Sequence, residues 1–191
     1  MASSLTSQPQ HSAARRGWRL RAAALGVSIS VLSFFGALTF AYLSRGAAAR
    51  ARIPLPPILY PNTVVLLLSS AAMESARRRL QSGEVRAMLR WLAVAFGLGW
   101  LFLAGQYYAW RQWFGAGVYL ASFPGSRFFF LFTAAHGVHI AAGLAVLGTV
   151  FTLAWRGRLR PEYPAPLDAA AIFWHCLDLA WLGILALLLL A

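Results

Sequence analysis

The sequence predicts an all-α fold, a polytopic membrane bundle of five transmembrane helices. Composition is the first observation behind this. The 191 residues are 60% hydrophobic and only 12% charged, where a soluble domain is about one quarter charged. Mean hydropathy is +0.62. The second observation is length. Segments at about 22–44, 61–80, 87–110, 128–154 and 169–190 are each long enough to cross ~30 Å of hydrocarbon. The third is the placement of charge. All 17 basic residues are Arg and the net charge is +12, yet the arginines flank the apolar runs. That distribution argues against a nucleic-acid-binding stripe and for a membrane protein.

Residues 1–21 read as a disordered basic cytoplasmic arm, polar to about Gln10 and then rich in Arg15, Arg16, Arg19 and Arg21. The arm and the next apolar run together look like a signal peptide. No small-residue cleavage site follows at the expected distance, so the first span is expected to be a retained anchor. Its Ser28, Ser30 and Ser33 can bond back to their own helix. The link from Gly46 to Tyr60 cannot be helical at Pro54, Pro56 and Pro57.

The second span is the least apolar. It opens on Pro61-Asn62-Thr63, with Asn62 expected at the helix cap, and ends in Arg77-Arg78-Arg79. Glu74 lies three and four residues before Arg77 and Arg78, the spacing of a local ion pair at the boundary. Ser82-Gly83 makes a tight connection to span three. There Gln106, Tyr107 and Tyr108 lie near one end, and interface anchoring accounts for the tyrosines. Pro161, Pro164 and Pro166 separate spans four and five. The single Cys176 excludes an intrachain disulfide.

Arginine counts set the orientation. Twelve fall on the side of the N-terminal arm and five on the other, so the N-terminus is expected in the cytoplasm and the C-terminus outside.

The candidate functional residues are the polar groups buried in the last two spans. Span four carries His136-Gly137-Val138-His139 and then Gly143; span five carries Trp174, His175, Cys176, Asp178 and Trp181. An ionisable group at membrane depth costs several kcal/mol unless compensated, so it marks a site by default. Counting depth along the helices sets His136 level with Asp178, and His139 level with His175. Asp178 is then expected to bond a histidine or Trp181. Three chemistries compete: a metal site, a proton path, and polar glue between helices and lipid. Glue is favoured, because one carboxylate is few for a helix-borne metal site and Gly137 and Gly143 permit close helix approach.

These motifs, in this order, resemble the third subunit of haem-copper respiratory oxidases, as in cytochrome c oxidase. The histidine pair through Gly143 matches one family pattern; Trp174, His175, Asp178 and Trp181 match that of the last helix. Asn62-Thr63 through Ser69-Ser70, and Phe34-Phe35-Gly36 to Tyr42, match two more. Five spans fit the short bacterial form. The resemblance implies a non-catalytic subunit of the bacterial cytoplasmic membrane. It would hold no cofactor itself, with haem and copper in partner subunits I and II. It would bind phospholipid and support proton-coupled electron transport. His136, His139, His175, Asp178, Trp174, Trp181, Glu74 and Asn62 would form its polar seam and lipid or subunit contacts. Ser30 and Gln106 stand where many relatives carry glutamate. The alternatives are an accessory subunit of a quinol oxidase or nitric oxide reductase, or an intramembrane metalloenzyme.

Overall fold

A computed structural model describes residues 8–45, 55–122 and 124–190. Five helices follow one another, α1 Gln8–Leu43, α2 Leu59–Gln81, α3 Val85–Gly115, α4 Pro124–Trp155 and α5 Ala165–Leu190, and no strand occurs among the described residues. Stretches of α1, α3, α4 and α5 are long and apolar enough to cross a membrane. The fifth helix, α2, has the length but not the apolarity by itself. Its Asn62 and Ser69 bond α3, and its Thr63, Ser70 and Arg77 bond α5.

α1 begins at Gln8, which corrects the expectation of an irregular arm as far as residue 21. Residues 13–25 are nearly all Ala, Arg and Leu, the strongest helix formers, so the apolar span extends backwards as helix. Packing also holds this stretch: a Cβ on Gly17 would stand 3.3 Å from that of Ala165. Both ends of the chain and most of the proline-rich link, residues 46–54, lie outside the described residues.

α2 starts two residues before Pro61, which sits in the first turn, where its missing N–H costs nothing. Asn62 is therefore inside the helix and not its cap; its own N–H bonds Ile58 O. Helices α2, α3 and α4 end the same way. Gly83, Gly117 and Gly157 have φ of 76°, 75° and 65°. The next residue's N–H returns to Arg79 O, Trp113 O and Leu153 O respectively. This closure needs the left-handed conformation that glycine adopts without a Cβ penalty.

The helices alternate in direction. Ser69 bonds Ala95 O and Asn62 bonds Phe102 O, which makes α2 and α3 antiparallel. α5 runs antiparallel to α2 and α4 and parallel to α1, as Arg21–Asp168 and Ser28–Cys176 fix. α5 is the most enclosed helix; α1 lies at the edge and meets α4 only sparsely. Trp174 of α5 fills the middle. A Cβ on Gly99 would stand 2.8 Å from its ring, and one on Gly143 3.1 Å from it. Gly137 has no such role: its nearest neighbour would be Leu103 at 3.9 Å.

Candidate functional site

The polar seam runs the length of α5 and is built mainly with α2. At the N-terminal end of α5, the buried Asp168 accepts from Arg21 at 2.6 Å and 3.1 Å on one oxygen. Its other oxygen accepts from Arg77 Nε at 3.1 Å. Arg77 also donates to Glu74 at 2.8 Å, and Arg78 donates to the same carboxylate at 3.3 Å. The local pair expected at Glu74 is thus the outer part of a network joining α1, α2 and α5. Asp168 is absent from the sequence-derived site. The available signal is that the chain has only five carboxylates and this one opens the last span.

Two turns further along, Ser70 Oγ and His175 Nδ1 meet at 2.5 Å, joining α2 to α5. Cys176 Sγ lies 3.4 Å from Ser28 O and joins α5 to α1. At the next level Trp181 Nε1 donates to Thr63 Oγ1 at 2.9 Å, while that hydroxyl donates to Leu59 O at 2.8 Å. Asn62 Nδ2 donates to Phe102 O at 3.1 Å. Gly105 leaves the space for it: a Cβ there would collide with the Asn62 amide. These hydroxyls and amides come from α2, whose motif residues Thr63, Ser69 and Ser70 drew no individual role from the sequence.

The histidines do not gather as the depth count expects. His136 is fully buried and faces Trp181, with ring centroids 5.1 Å apart. Phe102 and Phe35 complete an aromatic box at 5.6 Å and 6.2 Å. Neither His136 nitrogen bonds a partner among the described residues. The α4–α5 register is therefore about one turn away from the His136–Asp178 match. Trp181, one turn beyond Asp178, takes that place, and its N–H is committed to Thr63. Asp178 is buried and its carboxylate accepts no hydrogen bond among the described residues. His175 Nδ1, on its own helix, lies 3.6 Å from that carboxylate, too long for a hydrogen bond. His139 turns its Nδ1 back to Ala135 O at 2.7 Å. So His136 and His139 face aromatic rings, while His175 faces α2. Among the described residues no three His, Cys, Asp or Glu side chains form a group that could hold a metal ion.

The arrangement is suited to fixing helices against one another, with hydroxyls and one carboxylate as the ties. Comparison with known proteins agrees with the helix pattern. A family described as "Cytochrome c oxidase subunit III" matches residues 46–190. The chain belongs to the cytochrome c oxidase subunit III family. Among its relatives, the probable cytochrome c oxidase subunit 3 of Nocardia farcinica (strain IFM 10152) is 30% identical, over 82% of this chain and 80% of its own length. The cytochrome c oxidase subunit 3 of Thermostichus vulcanus is 29% identical over 86% and 85%. The probable subunit 3 of Mycobacterium tuberculosis (strain ATCC 25618 / H37Rv) is 28% identical over 81% and 79%. For this subunit III family member, the matched stretch takes in α2 to α5 and so the whole α2–α5 seam.

Proposed function

We propose that the chain is the non-catalytic third subunit of a bacterial haem-copper terminal oxidase of the cytochrome c oxidase type. Haem and copper reside in partner subunits I and II, and this chain stabilises the catalytic subunit through turnover. The observation that carries the reading is the use of the seam: Asp168, Ser70 and Thr63 all join helix to helix. Polar groups consumed in this way supply rigidity, each tie being worth ~0.6–2 kcal/mol in a membrane.

The helix ends near Asp168 face the cytoplasm in this reading, since twelve of the 17 arginines fall at that end of the bundle. Phospholipid is held along α4. A trough of about 540 Å³ passes Ala145, Gly148 and Thr152 and ends at Arg156, a partner for a phosphate. Proton-coupled electron transport is supported indirectly, by keeping the catalytic subunit and its lipid in place.

The test is to tag this chain in its native membrane and purify what accompanies it. A haem-copper subunit in equal amount, with oxygen reduction, is the expected result. Removing the chain should shorten the working life of the oxidase while leaving its haem spectrum intact. Co-purification with a nitric oxide reductase, or a metal retained by this chain alone, would overturn the reading.

A further inference from the structure

We draw no further inference here: the strongest candidate, the exposed stripe of α5 along His175, Leu179 and Leu182 with the buried Asp178 beside it, is an unpartnered face of the bundle, and nothing in the structure shows what covers it.

Discussion

The two interfaces that α5 makes with α2 and with α4 are built on opposite principles. Against α2 it is tied by directional bonds: Arg77 to Asp168, Ser70 to His175, Trp181 to Thr63. Against α4 it is fitted by shape: Trp174 beside Gly143, and the His136 ring against Trp181. The difference teaches that conspicuous polar residues and structural polar residues need not coincide. In hydrocarbon an ordinary hydroxyl can satisfy its own helix and a neighbour at once, as Thr63 does. An imidazole enclosed by Phe35, Phe102 and Trp181 acts there as one more ring.

Disturbing the shape-fitted side should have the largest effect. Gly143→Leu would drive a side chain into Trp174 and Leu177, where a Cβ alone already approaches to 3.1 Å and 3.2 Å. Backbone separation of α4 from α5 should cost about 3 kcal/mol, at the upper end for overpacking. The loss would appear as a lowered thermal midpoint in detergent and a smaller yield of assembled complex. A variant as stable as the parent would show that α4 and α5 are not held this closely.

Next comes the bonded side. Asp168→Ala leaves Arg77 and Arg21 without their shared acceptor. Both guanidinium groups are partly exposed, at 30% and 45%, so water relieves part of the loss. A destabilisation of about 1–2 kcal/mol is expected. Asp168→Asn, which keeps one acceptor oxygen, should recover part of it. Unfolding of the two variants side by side checks the order; no difference between Ala and Asn would mean that the seam does not depend on acceptance at this position.

The smallest effect sharpens the comparison. His136→Phe replaces a ring that makes no hydrogen bond to any described residue with an apolar ring of similar shape. Such a change is close to neutral or slightly stabilising, within about 1 kcal/mol. Stability and turnover per haem should both stay near the parent values. Loss of turnover in a fully assembled complex would give His136 a chemical role and remove the distinction between the two sides of α5.

Sequence alone determined that five helices form, though not that α1 begins at Gln8, because apolar run length, proline breaks and arginine flanks act locally. It also carried the family, since the motifs around His136, His175 and Asn62 are contiguous in the chain. Partners were another matter. Each residue along a helix turns the side chain by about 100° for a rise of 1.5 Å, so a register error of one turn reassigns every contact across an interface. That is why His136 meets Trp181 and not Asp178, and why Asn62 bonds Phe102 O within a helix that starts three residues earlier. The Asp168 network was likewise beyond reach of local reading: its arginines lie 147 and 91 residues away. Only the packing of α1 and α2 on either side of α5 brings them to one carboxylate.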